Sequence, residues 1–130
     1  MIPRRKYGNK KIQNAFGEFD SALEYKRFLV LKDEEGRGAI RNLRRQVPYL
    51  LIPNQYATEI VHLKTKDKEV EKLAERKVEY VADFVYEKDG KDVVEDTKGL
   101  RLADYILKRK MMLYFHGIAI REVKKPTEPI

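Results

Sequence analysis

A β-hairpin is predicted by residues 78–99, which read VEYVADFVYEKDGKDVVEDTKG. Its first half, Val78 to Tyr86, is rich in β-branched and aromatic residues on both faces, a pattern typical of a central strand covered on both sides. Asp89-Gly90 is a favoured two-residue turn, and residues 92–98 return as the partner strand. The sheet of this protein is therefore expected to be built around this hairpin.

The length of the turn determines which residues of the hairpin face each other. With a two-residue turn, Lys88 lies opposite Lys91 and Asp83 lies opposite Asp96. Opposite residues of an antiparallel pair point to the same face, with Cβ atoms roughly 4.5–5.5 Å apart. A three-residue turn would place Glu95 opposite Asp83 instead. Either register puts two carboxylates side by side in an apolar strand pair.

Two adjacent carboxylates destabilise a sheet unless something compensates their charge. A divalent metal ion is the simplest compensation, because hard cations take oxygen ligands from one or two carboxylates together with water and phosphate. The structural alternative is that one carboxyl is protonated, or that Lys98 on the same face and a nearby arginine neutralise the pair. The hairpin thus predicts a metal site at Asp83 and Asp96, with this alternative left open.

The other elements follow from local signals along the chain. Ser21 and Glu24 have the spacing of a capping box, which opens a helix that ends near Gly36. Later signals predict strands at 43–52, 58–63 and 118–123, a helix at 102–115 ended by Gly117, and either a helix or a hairpin arm at 65–75. The predicted order is α-β-(β)-β-β-α-β. This is an α/β (α+β) fold with a mixed central sheet flanked by helices.

Composition limits the classes of protein to which the chain can belong. A length of 130 residues fits one domain, expected at 16–124 between a basic arm at 1–15 and a tail at 125–130. The absence of cysteine excludes a disulfide scaffold, a thiol nucleophile and a Cys-ligated metal. No apolar run reaches the roughly 18 residues of a membrane span. We therefore expect a cytoplasmic protein that neither binds a membrane nor carries an organic cofactor.

Basic residues are concentrated in stretches that contain no acid. The net charge is +7. Residues 1–11 carry two arginines and three lysines, and residues 36–58 carry four arginines, and neither stretch contains Asp or Glu; a third basic group lies at 108–110. Such stretches favour a polyanionic partner, above all nucleic acid. A solvated surface with a basic tail explains the same charges equally well.

Two motifs of the chain resemble the PD-(D/E)XK nuclease signature, which has an Asp on one strand and (D/E)-x-K on the next. They are Tyr80-Val81-Ala82-Asp83-Phe84 and Val94-Glu95-Asp96-Thr97-Lys98-Gly99, with Ala82 in place of the proline. The helix start Phe19-Asp20-Ser21-x-x-Glu24 is similar to the first helix of that family. Residues 43–53 and 107–110 are similar to segments of small phage and prophage proteins formerly catalogued as a domain of unknown function. The resemblance extends from about residue 6 to residue 123.

The resemblance implies a restriction-endonuclease-like core and a catalytic set of Glu24, Asp83, Asp96 and Lys98. Asp83 and Asp96 would bind Mg²⁺, or Mn²⁺ in its place, with the Thr97 carbonyl and Glu24 as further ligands. Lys98 would orient the attacking water or stabilise the transition state. From sequence alone, a plain helix-capping role for Glu24 is at least as well supported as this one.

The resemblance also implies an Mg²⁺-dependent endodeoxyribonuclease in phage DNA recombination, acting on branched DNA like a Holliday junction resolvase. Its expected form is a homodimer in the cytoplasm, that of the host cell if the protein is phage-encoded. The alternatives are a nicking or end-cleaving nuclease, and a non-catalytic DNA-binding accessory protein. The expected DNA contacts are Arg4, Arg5, Lys6, Lys10, Lys11, Arg41, Arg44, Arg45, Gln46, Lys108, Arg109 and Lys110. Gln46 could touch the site or a phosphate, and a polar role at the strand edge is an equal alternative.

Overall fold

The structure is a computed structural model that describes residues 11–97 and 101–130, and these form a mixed α+β fold. The described residues contain two helices and eight strands. In chain order these are β1 (Ile12–Asn14), β2 (Gly17–Phe19), α1 (Ala22–Gly36), β3 (Arg41–Ile52), β4 (Gln55–His62), β5 (Asp67–Glu75), β6 (Val78–Lys88), β7 (Lys91–Thr97), α2 (Ala103–His116) and β8 (Arg121–Val123). Neither helix is long and apolar enough to cross a membrane.

The central sheet has four strands in the order β3-β6-β7-β8. Strands β3, β6 and β7 pair antiparallel, whereas β8 pairs parallel with β7 after the crossover through α2. The sheet is therefore mixed, and β6 lies inside it as the sequence predicts. The predicted last strand is shorter than expected, because residues 118–120 precede β8 without joining the ladder.

The β6–β7 hairpin has the predicted two-residue turn. Asp89 and Gly90 both have positive φ angles, 52° and 77°, as a type I′ turn requires. The ladder starts at Lys88↔Lys91 and ends at Phe84↔Glu95. The two-residue register is thus confirmed, and Asp83 and Asp96 lie immediately beyond the last pair of the ladder.

Two hydrophobic clusters lie on opposite faces of the central sheet. On one face, α1 packs Phe28 and Leu31 against Phe84 and Tyr86 of β6. On the other face, the buried residues of α2 pack against β3, β6 and β7, with Leu51, Tyr80, Ala82, Val85, Val94, Tyr105 and Met112 as the cluster. The protein therefore has three layers, with one helix on each side of the sheet.

The start of α1 and the end of α2 have the capping residues that the sequence predicts. Ser21 is the N-cap of α1 and its Oγ accepts the Glu24 N–H at 3.1 Å, as in a capping box. Gly117 follows α2 with a left-handed φ of 66°, and its N–H is donated to the Leu113 carbonyl. Such a residue ends a helix at little cost only when it is glycine.

The segment 65–75, which the sequence left between helix and hairpin arm, is strand β5. It pairs antiparallel with β4 in a separate two-stranded sheet. This sheet extends from the end of β3 and returns to the start of β6, where Ile52 and Val78 are paired. We call residues 53–77 the arm.

The two ends of the described chain are joined to the core. Strand β1 lies within residues 1–15, the segment that the sequence predicts to be a basic N-terminal extension, and it pairs with β2. In the predicted tail, the carbonyl oxygens of Pro126 and Glu128 accept hydrogen bonds from Arg27 at 3.0 and 2.5 Å. These contacts add residues 12–14 and 126–128 to the folded unit.

Candidate active site

An acidic cleft of about 270 Å³ opens where β6, β7 and α2 meet. Among the described residues that line the cleft, five are carboxylates and one is a cation, in a chain whose net charge is +7. The lining residues are Asp20, Gln46, Glu79, Tyr80, Val81, Asp83, Asp96, Asp104, Tyr105 and Lys108. The structure thus brings the predicted residues Asp83, Asp96, Gln46 and Lys108 together in one cleft.

A switch of side-chain direction in β6 brings Asp83 to the cleft. Tyr80 and Ala82 pack on the α2 side of the sheet, whereas Phe84 packs on the α1 side. In a regular strand all three side chains would lie on one face, because alternate residues share a face. The alternation is therefore interrupted between Ala82 and Asp83. As a result, Tyr80 and Asp83 line the same cleft.

The neighbouring strand β3 makes the same switch at Gln46. Arg45 lies on the α1 side, with its guanidinium over the Phe19 ring, whereas Val47 packs on the α2 side. Gln46 lies between them with a φ of 51°, a left-handed conformation that costs roughly 1–2 kcal/mol for a residue other than glycine. A strained backbone at a cleft is often tied to function.

The Gln46 side chain links two acidic residues. Its Nε2 donates to Glu24 Oε1 at 2.9 Å and lies 3.4 Å from Asp83 Oδ1. One neutral donor thus holds the carboxylate of α1 next to that of β6. This contact places Gln46 within the site, which is one of the roles considered for it from sequence.

Asp83 and Asp96 are each oriented by a neighbouring hydroxyl group. Asp83 Oδ2 accepts the Thr97 N–H at 2.9 Å and the Thr97 hydroxyl at 2.8 Å. Asp96 is 2% exposed, and its Oδ2 accepts the Tyr80 hydroxyl at 2.5 Å. Burial and the charge of Asp96 raise the pKa of Tyr80, so that this phenol remains a donor. Hydrogen bonds therefore fix the rotamers of both carboxylates.

The Glu24 carboxylate contacts both the backbone at the start of its own helix and Gln46, which lines the cleft. One carboxylate oxygen accepts the Asp20 N–H at 3.1 Å, while the other accepts from Gln46 and lies 3.6 Å from Arg45 Nη2. Burial, followed by the charge of Asp83, raises the pKa of Glu24 to about 7. The helix-capping role and the proximity to Asp83 are thus compatible.

Glu95, the acid next to Asp96, lies on the opposite face of the sheet. It forms a bidentate ion pair with Arg27, with both N–O distances at 2.8 Å and both side chains completely buried. The Tyr86 hydroxyl also donates to Glu95. Because these groups saturate Glu95 on the α1 side, Asp96 is the acid of this pair that reaches the cleft.

The predicted DNA-binding residues differ in their exposure and in the ion pairs that they form within the protein. Arg45 is held by the carbonyls of Phe16 and Glu18 and by Glu24, and Arg109 pairs with Glu122. Arg41 and Lys110 are exposed, whereas Arg44 is partly buried near Asp92, and Lys11 pairs with Glu18. Predicted residues that lie outside the described part of the chain are Arg4, Arg5, Lys6, Lys10 and the catalytic candidate Lys98.

The donors of the cleft suit a hard metal ion, although they do not form a complete shell. Among residues 11–97 and 101–130, no group of three or more His, Asp or Glu side chains is close enough to hold a metal. Asp83 and Asp96 supply two carboxylates, which is enough for Mg²⁺, an ion that keeps several waters and binds phosphate oxygens. The residues present therefore fit an ion that takes its remaining ligands from water or from a phosphate.

The structure adds site residues that the sequence did not suggest. Tyr80, Glu79, Asp104 and Tyr105 line the cleft, but none is among the catalytic or ligand residues that the resemblance implies. The aspartate at the start of α2 and the tyrosine next to it are ordinary helix residues in the sequence. Tyr80 would point away from Asp83 in a regular strand, so no sequence signal could have placed it there.

Gln46 provides a test of backbone strain at the site. We expect Gln46→Gly to be more stable than Gln46→Ala by about 1 kcal/mol, because only glycine adopts the left-handed conformation without strain. Both variants lose the amide that links Glu24 to Asp83. Urea unfolding followed by circular dichroism measures the difference. An alanine variant as stable as the glycine variant would contradict the assignment of strain to this position.

The family of the chain is established by comparison with known proteins. Residues 4–125 match the model of the family described as "Protein of unknown function (DUF1064)". The match includes every element from β1 to β8 and every residue that lines the cleft. No curated protein and no solved structure shows a significant match. The chain therefore belongs to the DUF1064 family.

Proposed function

We propose that this protein is a metal-dependent DNA endonuclease with a restriction-endonuclease-like core. The observation that carries the proposal is the carboxylate-lined cleft at Asp83 and Asp96 in an otherwise basic chain. The fold supports the proposal, since α1-β3-β6-β7-α2-β8 has the α-β-β-β-α-β order of that core, with the arm as an insertion. The two aspartates of the signature, Asp83 and Asp96, lie on β6 and near the end of β7.

The charges of the cleft and of its proposed substrate require a cation between them. A phosphodiester next to five carboxylates and one lysine is repelled unless positive charge is added. Asp83 and Asp96 would hold Mg²⁺ or Mn²⁺, with Glu24 and the Thr97 carbonyl as further candidates. A bound ion supplies a more acidic water and stabilises the charge that develops on the scissile phosphate.

The residues of the chain prepare the site for this chemistry. Thr97 and Tyr80 hold the two aspartates by hydrogen bonds, and strands anchor both aspartates in the central sheet. Gln46 keeps Glu24 next to Asp83. Such a rigid arrangement reduces the reorganisation that the reaction requires. Lys98 is proposed to orient the attacking water or to stabilise the transition state.

DNA binding is proposed to depend on the basic residues outside the cleft. Arg41 is exposed outside the cleft, and Lys108 adds a positive charge at the cleft itself. Contacts from such residues to phosphates make binding sensitive to salt and largely independent of base sequence. Binding that is largely independent of base sequence leaves the shape of the DNA as the feature to be recognised. We therefore favour branched DNA, with the Holliday junction first, as a substrate in phage DNA recombination.

The test is cleavage of a labelled four-way junction and of a linear duplex with the same sequence. We expect cleavage of the junction with Mg²⁺ or Mn²⁺, and none with EDTA. Equal cleavage of both substrates would keep the nuclease and reject the preference for branched DNA. Tight DNA binding without cleavage in any divalent metal would overturn the proposal in favour of a non-catalytic accessory protein.

A further inference from the structure

The arm leaves apolar side chains exposed on an isolated sheet. Strands β4 and β5 form a two-stranded sheet of their own, and such hairpins are marginally stable in water without further packing. Tyr56 and Ile60 are 60% and 57% exposed, and Leu73 and Leu63 are also exposed. Exposed apolar groups on a protruding hairpin indicate a surface that binds a partner.

One face of the arm is both apolar and acidic. Paired residues share a face, and the pairs Tyr56↔Leu73, Thr58↔Glu71, Ile60↔Glu69 and His62↔Asp67 define it. We call these eight residues the acidic arm face. It carries three carboxylates and no lysine or arginine. Such a surface repels nucleic acid and favours a basic, apolar partner.

Helix α2 carries a surface with the complementary properties. Leu107, Lys110 and Tyr114 follow one another at helical spacing on its outer side, and Tyr114 is 83% exposed. Leu113 and Phe115 are exposed beside them. We call these five residues the outer α2 face. It is apolar, and its only charged residue is Lys110.

The two faces lie at the same end of the molecule. His116, the last residue of α2, contacts the Leu50 carbonyl through Nε2 at 2.6 Å and packs its ring against Tyr49. Leu50 is near the end of β3, from which the arm leaves, and its side chain is exposed. The base of the arm and the end of α2 are therefore neighbours, so both faces can take part in one two-fold interface, in which each copy uses the same residues.

We propose that two copies of this chain form a dimer in which the acidic arm face of each copy packs on the outer α2 face of the other. Contact between two acidic arm faces would bring like charges together. Antiparallel contact between two α2 helices would bring one Lys110 close to the other. The reciprocal arrangement places carboxylates next to Lys110 and covers both apolar surfaces.

The inference names the interface of the homodimer that cutting of two strands requires, but it does not depend on nuclease activity. A dimer that fails to cleave DNA overturns only the proposed function. A monomer that cleaves DNA overturns only the dimer. The two proposals are therefore tested separately.

The test is the association state of the full chain, measured by sedimentation velocity over a range of concentrations. We expect a wild-type dimer, and at least about tenfold weaker association for Ile60→Glu and for Tyr114→Ser, since each removes an apolar anchor. Lys68→Glu, on the opposite face of the arm, is the matched control and should associate like wild type. Far-UV circular dichroism should be unchanged in all three, because these residues lie outside the core.

Charge reversal gives a second test of the interface. Glu69→Lys with Glu71→Lys, and Lys110→Glu alone, should each weaken association, whereas all three changes in one chain should restore it. Failure of this rescue would overturn the reciprocal arrangement. A wild-type chain that is monomeric throughout the concentration range would overturn the dimer and leave both surfaces to another partner.

Discussion

Asp83→Asn and Asp96→Asn are each expected to reduce metal-dependent DNA cleavage by at least about 10³-fold, which corresponds to several kcal/mol of lost transition-state stabilisation. Each substitution keeps the size of the side chain and one acceptor oxygen. The hydrogen bonds from Thr97 to Asp83 and from Tyr80 to Asp96 can therefore persist in part. What disappears is one of the two negative charges that would hold the metal ion.

The readouts should separate loss of chemistry from loss of fold. Single-turnover cleavage of the four-way junction measures the rate, and calorimetric titration with Mn²⁺ measures the ion affinity. DNA binding in EDTA should remain close to wild type, because the basic residues outside the cleft are unchanged. Asp89→Asn is the matched control: it removes a carboxylate from the turn of the same hairpin, where asparagine is equally accepted at a positive φ.

The outcomes distinguish between roles for the two acids. Variants that bind neither Mn²⁺ nor DNA but remain folded would indicate that the carboxylates support the binding surface. Variants that cleave normally would overturn the placement of the metal at Asp83 and Asp96. Loss of cleavage together with loss of Mn²⁺ affinity, and with DNA binding intact, is the result that the proposed function requires.

Local rules were sufficient to predict the parts of the fold that depend on neighbouring residues. The Asp89-Gly90 turn sets the register of β6 and β7, and the structure confirms it down to Phe84↔Glu95. The caps at Ser21 and Gly117 are local as well. Each pair of the antiparallel ladder follows from the one before it, so the two-residue turn was enough to predict that Asp83 and Asp96, six residues away, lie close together.

The residues that complete the cleft depend on long-range contacts and could not be predicted in this way. Gln46 has no glycine-like signal, yet it adopts a left-handed φ where β3 and β6 change faces. This switch brings Tyr80 to Asp96. The segment 65–75 was ambiguous for a similar reason: Val70, Leu73 and Ala74 have helical spacing, and only pairing with β4 makes the segment a strand.

The contact between Arg27 and Glu95 was also beyond the reach of sequence patterns. The two residues lie 68 positions apart, and no local pattern in the helix or in the strand gives a reason to pair them. The sequence left open whether Glu95 or Asp96 is the candidate metal ligand. The structure distinguishes the two acids by what lies on each side of β7: a buried arginine on the α1 side and an open cleft on the α2 side.

Arg27→Met is expected to destabilise the protein by about 3–5 kcal/mol, because it leaves the Glu95 carboxylate buried without its main partner. A domain of this kind has roughly 5–15 kcal/mol of stability in total, so this single change removes a large part of it. Burial by itself lowers the pKa of Arg27, but its hydrogen bonds and attraction to Glu95 raise it overall. The guanidinium is therefore charged at every pH at which the protein is folded.

The matched control is Arg37→Met, which breaks an exposed pair with Asp33 on the same helix, where the loss should be below about 1 kcal/mol. Urea unfolding measures both variants. The double variant Arg27→Met/Glu95→Met should recover part of the loss, because no unpaired charge remains buried. Full recovery is not expected, since the carbonyls of Pro126 and Glu128 also lose their donor. A double variant less stable than Arg27→Met would show that Glu95 is held mainly by Tyr86 and Arg121, and that the pair contributes less than its burial suggests.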